Sequence, residues 1–143
     1  MSECGICREN YEENTEHEPK IMKCGDTICS ECIKILKGDK DKFSCPFCRL
    51  DIKEMIEDIP TNKYLFQEMQ TILCDICMKE FGTQSNPKRL PRVLKCGHTY
   101  CSNCLTKNIR ENNDKTQCLD LYCRQQTKGK VEDLRINKII IQK

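Results

Sequence analysis

Apolar positions come in short bursts along this chain rather than in the long periodic runs of a large core. Cys32, Ile33 and Leu36 recur at helical spacing, as do Cys104, Leu105 and Ile109. Each set follows a serine, Ser30 or Ser102, of the kind that caps a helix N-terminus. Gly38 and the charge run 39–42 end the first of these helices. Ahead of each helix stands a Cys-Gly-x-Thr-x-Cys stretch, β-branched and broken by glycine, which predicts a tight β-hairpin. Between the two halves, Thr61 or Asn62 is placed to cap a linking helix over 58–73, with Tyr64, Leu65, Met69, Ile72 and Leu73 near one face. That segment contains no Gly or Ser, so packing is expected there rather than a loose tether. The longest apolar run, Ile139-Ile140-Ile141, is far too short to span a bilayer.

The elements come twice because the chain repeats itself. The 14 cysteines fall into two blocks of seven, from Cys4 to Cys48 and from Cys74 to Cys123. Lys23-Cys-Gly-Asp-Thr-Ile-Cys-Ser-Glu-Cys-Ile33 matches Lys95-Cys-Gly-His-Thr-Tyr-Cys-Ser-Asn-Cys-Leu105. Asp58-Ile-Pro-Thr-Asn-Lys63 matches Asp133-Leu-Arg-Ile-Asn-Lys138. Two copies of one small unit explain this pattern. The expected division is a first module over 1–57, the linking helix over 58–73, a second module over 74–127 and a tail over 128–143. The tail, which is expected to pack on the second module, reads as strand or helix over 129–143, and the analogy with 58–73 favours helix.

Units of about 70 residues are marginal on an apolar core alone, and only eight aromatic residues and no tryptophan are present in 143. Met1-Ser2-Glu3-Cys4 does not read as a secretory signal. A reducing cytoplasm or nucleus is therefore the expected setting, where clustered cysteine reads as metal binding rather than as disulfides. Metal also changes the charge. The formal +2 becomes −4 once fourteen thiolates and four Zn²⁺ are counted, which with the lack of Arg/aromatic interleaving argues against a nucleic-acid partner.

A Cys-x2-Cys knuckle lets both thiolates reach one zinc ion. Five such pairs occur: Cys4/Cys7, Cys29/Cys32, Cys45/Cys48, Cys74/Cys77 and Cys101/Cys104. With Cys24 and Asp26 in the first block, and Cys96, His98, Cys118 and Cys123 in the second, each block offers eight donors. That is enough for two closed four-coordinate structural sites per module, four Zn²⁺ per chain. Among the cysteines none is left over as a catalytic nucleophile.

The order Cys-x2-Cys … Cys-x-His-x2-Cys-x2-Cys … Cys-x2-Cys resembles that of RING fingers (the C3HC4 type), and Cys96-Gly-His-Thr-Tyr-Cys-Ser-Asn-Cys104 lies close to the centre of that family. The resemblance implies a small zinc-stabilised α+β fold, two cross-braced RING modules each with a hairpin, a helix and two zinc sites. It implies the ligand sets Cys4, Cys7, Cys29 and Cys32; Cys24, Asp26, Cys45 and Cys48; Cys74, Cys77, Cys101 and Cys104; and Cys96, His98, Cys118 and Cys123. Two departures stand out. Asp26 takes the usual His position and is expected to ligate directly, the alternative being a hairpin cap with water or His17 in the fourth place. The Cys118–Cys123 gap is four residues rather than two, so the enclosed loop is expected to bulge and to change the surface more than the metal.

The same resemblance implies an E3 ubiquitin ligase that docks a ubiquitin-charged conjugating enzyme (E2) and promotes transfer of ubiquitin to a lysine of an unidentified substrate. In the first module, Ile6, Pro46 and Leu36 (or Ile35) match E2 contacts, and Arg49 matches the basic residue that positions E2 and ubiquitin together. The second module has Ile76, Leu105 and Arg124, with Leu119 in place of the proline. The first is thus expected to be the main E2 site, the second to pair with it, to stand in for a partner subunit or to bind substrate. The competing class is a non-catalytic zinc-binding adaptor or scaffold.

Overall fold

The computed structural model describes residues 3–66, 73–83, 85–111, 115–120 and 122–141. Two units of the same element order account for most of them. In the first, β1 (Pro19–Ile21) pairs antiparallel with β2 (Thr27–Cys29), which runs directly into helix α1 (Ser30–Lys37). A second two-stranded ladder, β3 (Phe43–Ser44) with β4 (Asp51–Ile52), and a 3-10 turn at Ile56–Asp58 complete it. The second unit repeats this with β5 (Pro91–Val93), β6 (Thr99–Cys101), α2 (Ser102–Glu111), β7 (Lys115–Gln117), β8 (Gln126–Lys128) and a 3-10 turn at Val131–Asp133. No helix among the described residues is long and apolar enough to cross a membrane.

Local chemistry explains most boundaries. The β1–β2 turn closes through Met22 N–H to the Asp26 carbonyl (2.9 Å) and Gly25 N–H to the Met22 carbonyl (2.8 Å). Gly25 sits at φ +95°, a backbone region that L side chains resist. Helix α1 ends at Gly38, also at positive φ, whose N–H returns to the Lys34 carbonyl. Its start differs from expectation. The cap is Cys29 rather than Ser30, because the Cys29 sulfur accepts the N–H of Cys32 (3.5 Å). Ser30 is the first helical residue and lies buried.

Each unit has its own core. Met22, Ile28, Ile33, Phe43, Ile52 and Ile59 cluster with four buried cysteines in the first, and Leu94, Tyr100, Leu105 and Val131 with five in the second. The cysteines are therefore core residues as well as candidate ligands. Metal ligation and apolar packing thus draw on the same residues in each core.

The segments following each unit do more than link. Thr61 bridges to Lys20 on β1, and Ile136 bridges to Arg92 on β5, so each module gains a third extended segment at the hairpin edge. Both segments then cross to the other module: Lys63 N–H donates to the Gly97 carbonyl (3.3 Å), and Lys138 N–H donates to the Gly25 carbonyl (3.2 Å). At the centre, Asn62 and Asn137, both fully buried, exchange side-chain hydrogen bonds of 3.0 and 2.9 Å. Their second donors go to Thr27 Oγ1 (3.0 Å) and Thr99 Oγ1 (3.1 Å). Every amide proton and both amide oxygens are thus used, as burial demands.

Asn62 is therefore a bridge between units rather than a helix cap. In its described part the expected linking helix is a 3-10 turn at Lys63–Phe66; residues 67–72, with Met69 and Ile72, lie outside the described residues. Tyr64 and Leu65 pack with Ile140 of the short helix α3 (Lys138–Ile141), against Tyr11 of the first module and Phe81 of the second. The tail reaches the first module too: Arg135 forks onto Glu54 (2.8 and 3.2 Å) and donates to the Ile21 carbonyl (2.8 Å).

Candidate metal centre

Four groups of donors gather among the described residues, each with its ligand atoms within 4.8 Å of one another. They are Cys4, Cys7, Cys29 and Cys32; Cys24, Asp26, Cys45 and Cys48; Cys74, Cys77, Cys101 and Cys104; and Cys96, His98, Cys118 and Cys123. The interleaved order expected from the resemblance is the one seen. A tetrahedron with metal–sulfur bonds of about 2.3 Å has edges of roughly 3.8 Å. Cys4 and Cys32 sulfurs stand 3.8 Å apart, Cys7 and Cys29 3.7 Å, Cys77 and Cys101 3.8 Å and Cys74 and Cys104 4.0 Å. The spacing fits zinc.

Four of the ligand pairs turn on the residue after the second ligand. Arg8, Arg49, Met78 and Arg124 all adopt positive φ, between 50° and 65°. In three of them that residue's N–H returns to the first cysteine's carbonyl: Arg8 to Cys4 (2.9 Å), Arg49 to Cys45 (2.8 Å) and Met78 to Cys74 (2.8 Å). Arg124 instead donates to the Asp120 carbonyl (3.2 Å). The two extra residues shift the acceptor two places, from the first cysteine to Asp120.

Asp26 places Oδ2 3.6 Å from the Cys24 sulfur and 3.4 Å from that of Cys45, inside the tetrad. His17 belongs to none of the four groups; its Nε2 faces Glu16 at 3.8 Å. In the matching site, His98 Nδ1 lies 3.3 Å from both Cys96 and Cys118. Its other nitrogen, Nε2, faces Asp120 Oδ2 at 3.5 Å. The wide Cys118–Cys123 loop thus carries a carboxylate to the back of a metal-binding histidine, an arrangement that fixes ring orientation and raises basicity. Both sulfurs of the wide pair still lie in the tetrad, and the loop in addition sets Asp120 behind His98.

Acidities follow the same geometry. A hydrogen bond from Cys96, with others from His98, the Asp120 N–H and Tyr100, holds Cys118 down at about 3. Cys101 holds Cys74 at about 4. Burial raises Cys4, but the N–H groups of Cys7, Cys29 and Ile6 outweigh it and leave the thiol at about 7. Their neighbours move the other way: burial pushes Cys29 and Cys104 to about 11 and drives Cys24 and Cys45 up as well. Sulfurs this close cannot all ionise unless a cation stands among them. Closed sets of four sulfurs, or of three sulfurs with one N or O donor, suit Zn²⁺ and leave no open coordination position for catalysis.

Two family models match the chain. One for a zinc-RING finger domain covers residues 3–50, and one for a RING-type zinc finger covers 74–119. The chain belongs to the RING-finger family. Human E3 ubiquitin-protein ligase TRIM32 is 29% identical over 106 residues, which is 71% of this chain and 16% of that protein. E3 ubiquitin-protein ligase trim-21 of Caenorhabditis elegans is 30% identical over 118 residues, 76% of this chain and 39% of that one. Mouse E3 ubiquitin-protein ligase RNF186 is 40% identical over 50 residues, 33% of this chain and 21% of its own length. The RING-finger chain thus spans well under half the length of these relatives, and its four donor groups make it a zinc-binding protein with four sites.

The surface residues named from sequence fall unevenly. Ile6 is 43% exposed and Pro46 and Arg49 are exposed, while Leu36 packs against the first core. Its helical neighbour Ile35 is 71% exposed. Ile76 and Arg124 are exposed and Leu119 is half-buried against the second core. Leu105 is fully buried, so it offers no surface to a partner; the helical period marks it as apolar without telling which side is covered. Phe47, Leu50 and Tyr122 are exposed apolar residues that spacing alone did not single out. A Cβ on Gly5 would meet the Phe47 ring at 3.0 Å, so the first and last knuckles of the first module lie side by side.

Proposed function

We propose that this chain is the E2-docking part of an E3 ubiquitin ligase, acting mainly through its first module. The carrying observation is the adjacent pair of knuckles there, with Ile6 and Phe47 exposed and Gly5 against the Phe47 ring. Pro46 and Ile35 are exposed as well, and Arg49 follows the last ligand. An apolar surface rimmed by a forked cation is suited to hold a folded partner and donate to two carbonyls at once. The names of the relatives supply the reaction class.

In this reading no bond forms to the RING chain. Docking holds a ubiquitin thioester in a reactive pose, and the rate gain comes from restricted orientation. The second module is the weaker E2 site, since the charged Lys107 stands where the first module exposes Ile35 and the half-buried Leu119 stands where it exposes Pro46. Its part is to brace the first through the Asn62–Asn137 contact. Zinc-loaded chain is mixed with ubiquitin-charged E2s, and discharge to lysine is followed. Ile6→Ala should slow discharge by about 10-fold or more, the size of a lost interface anchor, and Ile76→Ala by much less. Equal losses would overturn the ranking of modules. Silence of the wild-type chain across a panel of E2s would overturn the ligase reading and leave an adaptor.

A further inference from the structure

The two zinc sites nearest the module contact differ in charge. With Zn²⁺ bound, Cys96, His98, Cys118 and Cys123 carry a net charge of −1, whereas Cys24, Asp26, Cys45 and Cys48 carry −2, because a carboxylate replaces a neutral ring. Asp26 is nearly buried, with 9% of its side chain exposed, so the additional charge lies where water screens it poorly. Lys138 Nζ stands 3.5 Å from Asp26 Oδ2, the same oxygen that faces Cys24 and Cys45. That lysine belongs to the tail following the second module.

Its position is held by backbone. Lys138 N–H donates to the Gly25 carbonyl, between the two ligands Cys24 and Asp26. Gly25 has φ +95°, and a Cβ there would collide with the Ile136 carbonyl, so the tail lies directly on the ligand loop. The counterpart lysine, Lys63, docks in the same way on Gly97 beside His98. There the outer partner of the ligand is an anion, Asp120, facing a ring nitrogen that becomes more basic for it. Each site thus has an outer partner of the sign its own ligand needs.

We propose that Lys138 is the charge partner of the Asp26-containing zinc site, so that metal retention in the first module depends on a residue contributed from the second. Lys138 is a positioning residue and not a ligand. It lowers the cost of collecting three thiolates and a carboxylate around one ion, and ties that site to the seating of the tail. The inference stands apart from the ligase reading, since it concerns metal alone.

The test uses the full chain loaded with ¹¹³Cd, whose resonances separate Cys4, Cys3His and Cys3Asp sites, and with zinc for rates of release to a chelator. Lys138→Met should speed loss from the Cys3Asp site by about 3- to 10-fold, below the usual outer-shell effect because the lysine is partly exposed. Lys138→Glu should speed it further, and Lys138→Arg should remain near wild type. In an Asp26→His background, Lys138→Met should change nothing. Equal release from wild type and Lys138→Met would overturn the proposal. So would an equal acceleration by Lys138→Met with Asp26→His, which would assign the effect to packing rather than charge. Should Asp26→His fail to take metal, the order Arg, Met, Glu at position 138 decides alone, and any other order refutes it.

Discussion

Replacing Asn62 by alanine removes three side-chain hydrogen bonds at once: its own two, to Asn137 and Thr27, and the one it accepts from Asn137. Asn137 is left with an amide oxygen and one amide proton unpaired in a fully buried position. A buried polar group without a partner costs about 1–3 kcal/mol, whereas a satisfied bond contributes a net of about 1 kcal/mol. Asn62→Ala should therefore destabilise the chain by roughly 2–4 kcal/mol, and Asn137→Ala by a similar amount given its matching bond to Thr99. The double variant should cost about 1–3 kcal/mol less than the two singles added, because the second change removes a group already orphaned by the first. Urea unfolding at fixed free zinc gives the cycle. Hydrogen exchange at the Lys63 and Lys138 amides, which donate across the contact to Gly97 and Gly25, reports whether the modules separate before they unfold. Single losses below about 0.5 kcal/mol, or additivity within about 0.5 kcal/mol, would refute the claim that the two amides act as one unit.

Two further outcomes follow from the contacts around the second module. Asp120→Ala should raise the rate of chelator-driven zinc loss from the Cys96/His98/Cys118/Cys123 site by about 10-fold, the lower end of outer-shell effects because its side chain is 37% exposed; unchanged release would show that the His98 contact is idle. Gly97→Ala should cost more than about 3 kcal/mol, since it combines a left-handed backbone worth about 1–2 kcal/mol with a Cβ driven into the Thr61 carbonyl. Gly38→Ala, also at positive φ but facing open space, serves as the control and should cost only the backbone contribution, about 1–2 kcal/mol, in the same thermal melts.

What could be read in advance depends on how far each residue's chemistry acts along the chain. A Cys-x2-Cys pair announces a shared ion, because the reach of two thiolates is fixed locally, and each of the five pairs falls within one donor group; the other six donors follow from the repeat and the resemblance, not from that rule. Helix starts are less transparent. Serine is the ordinary cap, but a knuckle already aims the Cys29 sulfur at the Cys32 N–H, so the metal loop takes over the capping position. In the sequence Asn137 stands out only as a matching letter in a repeat, and Asn62 as that and as a candidate helix cap. Their meaning lies in a contact between residues 75 positions apart, for which no local spacing carries a signal. Asp120 was hidden for a related reason: two additional residues look like a defect in a motif until the fold shows that the motif's own histidine is what they serve. The departures from the family pattern, Asp26 and the wide loop, are therefore where each outer zinc partner enters. Lys138 answers one and Asp120 accounts for the other, and in both cases the irregular residue belongs to the same electrostatic arrangement as the regular ones around it.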